Sequence, residues 1–199
     1  MSIISSVRNV ITRAVMPKVF QNWSDPDILI RKREENEKLR QKEGRPHEVF
    51  YFHEIADPYS YITAHILSKF KEEYAVELVP LIVGEPPTKT IHEPSMYRNY
   101  CLTDGIRIAP FYGVNFTNKK LPKDKLISLS QRILCNIDEE TFISLAVQVY
   151  QYVWSGNEEA LNALINDKTP SIQETSQIIS NNEEKRSAVE AYMGSTFSY

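Results

Sequence analysis

Glycine is scarce in this chain: Gly44, Gly84, Gly105, Gly113, Gly156 and Gly194 are the six in 199 residues, each at least eight positions from the next. A dinucleotide fingerprint and a P-loop both need clustered glycines to bring backbone amides against phosphate, so no nucleotide site is expected. Cysteine is scarcer still. Cys101 and Cys135 lie too far apart for a C-x-x-C redox pair or a cysteine-rich zinc site. The four histidines stand singly, and His92-Glu93 runs into Pro94, which excludes an H-E-x-x-H helix; no metal is expected. Basic residues are not in excess, at 23 Lys and Arg against 26 Asp and Glu, so nucleic acid is not an expected partner. No stretch approaches the ~18 apolar residues that a helical membrane span requires. With 42% apolar and 25% charged residues, the composition is that of a soluble, reduced, cytoplasmic domain.

Two regions differ in texture. In the first, Ile3, Ile4, Val7, Val10, Ile11, Ala14 and Val15 recur at helical spacing around Arg8 and Arg13, which predicts an amphipathic helix. Docking onto the chain's own core is the favoured role for this helix, with contact to a membrane surface as the lesser alternative. Residues 31–43 carry both charge signs and only Leu39 as an apolar residue, and read as a solvated helix or linker, so that 1–45 forms an arm. From residue 46 the chain reads as a domain. The segment 48–55 (EVFYFHEI) predicts a buried strand, 59–74 a helix and 76–84 (VELVPLIVG) a second strand, giving a βαβ unit with parallel strands. After a proline-rich loop over 85–94, helices are expected over 95–112, 123–134, 139–154, 158–166, 171–179 and 183–192, and the final STFSY alternates like the start of a strand.

The run FYFHEIADPYSYITAHIL, then YAVELVPLIVG, then YRNYCLTDGIRIAPFYGVNF and a series of helices, resembles the DsbA-like branch of the thioredoxin superfamily. The likeness is closest to its kappa-class glutathione transferases and hydroxychromene-carboxylate isomerases. It covers residues from 48 onward and is most specific at Asp57, Pro58, Tyr59, Ser60 and Tyr61. The resemblance implies an α/β, thioredoxin-like fold over 46–199 with an all-α insertion at about 95–192, its C-terminal ββα half incomplete at Tyr199. It also implies an active site at the start of the first domain helix, glutathione as cofactor, and a small organic molecule as substrate of an oxidoreductase, transferase or isomerase. The residue before the proline in related families is a redox cysteine or a serine that holds sulfur as its anion; here it is Asp57. Ser195 stands where the family's loop proline is expected, and Gly194, Ser195, Thr196 and Phe197 follow the rest of that pattern.

Asp57, Pro58 and the helix formers after them also make a preferred helix start in their own right, with Asp57 as N-cap. The functional alternative makes Asp57 a general base, with Ser60 beside it and His53 or Glu54 nearby as acid or base. Because neighbours in a strand face opposite sides, only one of His53 and Glu54 enters a given cleft. Pro58, Tyr59, Ser195 and Thr196 are the expected cofactor contacts. Cys101, Cys135, Tyr150, Tyr152 and Trp154 read as core. An outer strand with unpaired amides is an association hazard, which makes a homodimer an expected partner state. The alternative to an enzyme is a non-catalytic binding or assembly module built on the same scaffold.

Overall fold

The computed structural model describes residues 15–21, 25–86, 91–116 and 118–199. The expected arm over 1–14, and residues 22–24 and 87–90 of the two flanking loops, lie outside the described residues. The chain divides into two units, Met1–Pro46 and His47–Tyr199. In the first, residues 15–21 are helical (α1) and Pro26–Glu43 form α2. Asp25 caps α2 by accepting the Asp27 N–H at 2.9 Å, and Gly44 ends it at φ +64, a left-handed conformation that glycine adopts without a Cβ penalty. No residue of α2 is buried. Its polarity leaves it the solvated helix that its charges suggest.

The second unit is mixed α/β. Strands β1 (Glu48–Glu54) and β2 (Glu77–Val83) pair in parallel, from Glu48 opposite Glu77 to Glu54 opposite Val83, and α3 (Pro58–Glu73) makes the crossover. Between β2 and the last strand come α4 (Pro94–Ile108), a 3-10 turn (Ala109–Tyr112), α5 (Asp124–Leu134), α6 (Glu139–Ser155), α7 (Glu158–Ala163) and α8 (Ile172–Ala188). Strand β3 (Thr196–Ser198) returns antiparallel to β1, giving the order β2-β1-β3. Alternate residues of β1 face opposite sides. Val49 and Tyr51 join the main core with α3 and α6, whereas Phe52 meets Leu81, Val83 and Ala191 on the other face. Lys71 on α3 locks the layers by donating to the Val76 carbonyl at 2.6 Å and to Glu139 on α6 at 2.9 Å, and Glu139 in turn accepts the Leu78 N–H.

Three boundaries depart from the sequence reading. The helices expected over 171–179 and 183–192 are one helix, because Asn182 is buried and spends its side-chain amide on the Ile82 carbonyl at 2.9 Å instead of breaking the turn. A capping box between Ser171 and Glu174 starts this helix, and it ends before Glu190, which turns at φ +55. The helix expected over 158–166 stops at Ala163, where the Leu164 and Ile165 N–H groups bond three residues back. The helix expected over 95–112 tightens into the 3-10 turn at Ala109, closed by Gly113 at φ +72.

Gly105 lets α4 approach the start of α3: a Cβ built on it would lie 2.6 Å from Pro58 Cβ. A Gly-to-Ala change inside a helix ordinarily gains up to ~1 kcal/mol, but overpacking against a rigid ring costs about 1–3 kcal/mol. Gly105→Ala is therefore expected to destabilise the domain by roughly 1 kcal/mol net, read as a lower urea midpoint with an unchanged m-value.

Candidate functional site

The start of α3 is built around Asp57. Its backbone is extended, its carboxylate accepts the Ser60 N–H at 2.8 Å, and the Tyr59 N–H also points to it. Pro58 has no N–H, and the Tyr61 N–H bonds the Asp57 carbonyl at 3.2 Å. Asp57 thus accepts both the Ser60 and the Tyr61 N–H. The Ser60 hydroxyl faces backward and accepts the Glu54 N–H at 3.2 Å, while the Tyr150 hydroxyl donates to the Glu54 carbonyl at 2.7 Å. Both backbone groups of Glu54 are fixed, which sets the direction of its side chain.

That side chain and Asp57 share a cleft of ≈ 170 Å³. Its walls are Ala56, Pro58 and Tyr59 at the start of α3, Tyr97, Arg98 and Cys101 on α4, and Leu121, Met193 and Gly194 from two loops. A Cβ on Gly194 would sit 2.8 Å from Glu54 Oε2 and 3.5 Å from Asp57 Oδ2. The two carboxyl groups therefore lie within the ~6 Å over which like charges oppose each other's ionisation. Burial raises the Glu54 carboxyl well above its ordinary range, and the Asp57 charge adds to that shift. Asp57 is pushed up to about 6 by burial, against the opposing hydrogen bonds from Ser60 and Tyr59. The two carboxyls titrate as a coupled pair, each raised by burial. Glu54 also lines a second, wider opening of ≈ 240 Å³ with Gly84, Glu85, Asp124, Ser128 and Gln131.

The other expected site residues separate. His53 does not enter the cleft: it is fully buried, with Nδ1 2.8 Å from the Tyr51 hydroxyl and its ring against Phe142 and Tyr150. Burial lowers its pKa to about 3, and Nε2 has no partner, so the acid or base beside Asp57 is Glu54. Ser60 is fully buried and positions Glu54 through its backbone. Tyr59 lines the cleft and donates to Asp104 at 2.7 Å. Ser195, at φ +53, pairs its hydroxyl with Thr63 at 2.6 Å, and Thr196 donates to the Met193 carbonyl at 3.0 Å. Neither Ser195 nor Thr196 lines the cleft, whereas Gly194 before them does. Tyr97, Arg98, Leu121 and Met193 were not marked by any motif; the i, i+4 spacing of Tyr97 and Cys101 is the one local sign that they share a helix face. Cys101 is both a buried residue and part of the cleft wall, with its thiol pKa raised by burial.

Comparison of the chain with protein-family models, curated proteins and solved structures gives no match.

The titrations work in opposite directions. A base held neutral at a folded pKa of about 3 adds stability as pH rises from that value toward ~6.5, because the unfolded chain binds more protons there. An acid raised to about 6 does the reverse, removing stability as pH climbs from ~4 to that value. Asp57→Asn keeps a good N-cap and deletes the second effect. The variant is expected to gain up to ~3 kcal/mol over the parent at pH 7 and nothing at pH 3, measured by urea unfolding across the range.

Proposed function

We propose that this is a thioredoxin-like protein of the DsbA type that catalyses proton transfer on a small organic molecule with carboxyl groups in place of sulfur. The parallel β1–α3–β2 crossover, the helices between β2 and β3, and β3 antiparallel to β1 support the fold reading. The observation that carries the chemistry is the pair of carboxyls, Glu54 and Asp57, meeting over Gly194 with both raised by burial. Two carboxyls whose environments separate their protonation states make an acid and a base at one pH.

In the forward step the Asp57 carboxylate takes a proton from a carbon next to a carbonyl, and the Glu54 carboxylic acid gives its proton to the carbonyl oxygen. An enol forms with no co-reactant consumed, and return of the protons to other positions completes an isomerisation. Glutathione, which the resemblance implies, fits this site as a neutral thiol: a thiolate at ~4 Å from a carboxylate is repelled by about 1 kcal/mol in water and by more in a partly dry cleft.

The reading is tested by following deuterium uptake from D2O into small aliphatic and aromatic ketones by NMR, with and without glutathione. Exchange above the buffer rate is expected, falling at least ~100-fold in Asp57→Asn and in Glu54→Gln while both variants unfold cooperatively. If no ketone exchanges and none raises the melting temperature, the scaffold is a binding or assembly module.

A further inference from the structure

The cleft wall carries the oxygens of Glu54, Asp57, Tyr59 and Tyr97. Asp57 accepts the Ser60 and Tyr61 N–H groups at the start of α3. Tyr59 gives its hydroxyl proton to Asp104 and Tyr97 gives its own to the Met193 sulfur, so each phenol turns an oxygen lone pair toward any ligand. Arg98, the one cation among the described lining residues, is engaged by Glu85 at 2.8 Å and by the Pro94 carbonyl. The Glu54 side chain, 8% exposed, has no hydrogen-bond partner among the described residues and brings Oε2 to the cleft wall at Gly194. Its carboxyl opens onto the cleft, where the donors of a ligand can replace water.

We infer that the cleft takes a small organic amine, bound as its ammonium ion with an apolar body against Pro58, Leu121 and Met193. An ammonium brings three donors for the Asp57 carboxylate and for the oxygens of Tyr59 and Tyr97. It also supplies a positive charge opposite the Asp57 carboxylate. The inference rests on the acid–base reading of the same pair and names the class of molecule on which it acts. The groups that face the pair from other elements are Glu85 after β2, Glu183 and Arg186 on α8, and Tyr97, Arg98 and Cys101 on α4. Arg186 is held by Glu183 and lies within 3.5 Å of the Gly84 carbonyl, so it stays in place when the cleft fills.

Benzylammonium chloride, benzyl alcohol and sodium benzoate share one ring and differ in charge, and their binding to the full chain is measured by calorimetry at about pH 5 and pH 7.5. Benzylammonium is expected to bind about tenfold more tightly at the higher pH, where Asp57 is ionised, benzyl alcohol equally at both, and benzoate weakest at the higher pH. Asp57→Asn removes the pH dependence and most of the preference for the amine, while binding of the alcohol is retained; Glu54→Gln, read in parallel, lowers amine binding. Equal binding of amine and alcohol, or preference for benzoate, overturns the ammonium assignment. If no amine binds while ketone exchange persists, the ammonium assignment fails and the acid–base reading stands; if both are absent, both fail.

Discussion

The carboxylate of Asp57 occupies the N-terminus of α3 as a bound anion would. Every feature of the site follows from that occupation. A helix start ordinarily presents free N–H groups and the positive end of its dipole, which is why it suits phosphate, thiolate or carboxylate ligands. Here Pro58 removes one donor, the Asp57 carboxylate accepts the Ser60 N–H, and its carbonyl accepts the Tyr61 N–H. The attraction for anions is satisfied in part from within the chain.

Close packing limits the solvent around the two carboxyls. Gly105 brings α4 onto Pro58, Gly194 brings the loop before β3 onto Glu54, and Ser60 and Tyr150 fix the Glu54 backbone from two directions. Each contact excludes water from carboxyls that would otherwise titrate in the ordinary range, so the shifted protonation states are a direct product of packing. The fold gives up stability to keep them, since an acid buried without a cation opposes folding when it ionises. His53 shows the same economy of polar partners one residue away: it meets one hydroxyl and three aromatic rings and stays neutral. Sites that carry function commonly hold such unfavourable groups while the surrounding core supplies the compensation.

Much of the scaffold was legible in the sequence because its signals are local. The apolar run at 48–55, the Asp57-Pro58 helix start and the Pro94 and Gly156 boundaries each act over a few residues, and the structure places elements there. Asn182 was misread because the group that satisfies its amide, the Ile82 carbonyl, is a hundred residues away. The site divides in the same way. Asp57, Pro58 and Tyr59 were marked by their own order, whereas the choice between His53 and Glu54 depends on which face of β1 is covered by α3 and α6. Both neighbours of that pair along the strand are apolar, so hydropathy alone does not separate the faces. Tyr97, Leu121 and Met193 come from three segments joined only by tertiary packing, and no spacing rule connects them.

Glu54 belongs to the walls of two openings, the small cleft shared with Asp57 and the wider one bounded by Gly84, Asp124 and Gln131. A side chain that forms the partition between two solvent-facing chambers is reached from behind while a guest blocks the front. A proton on it can then exchange with water at the rear.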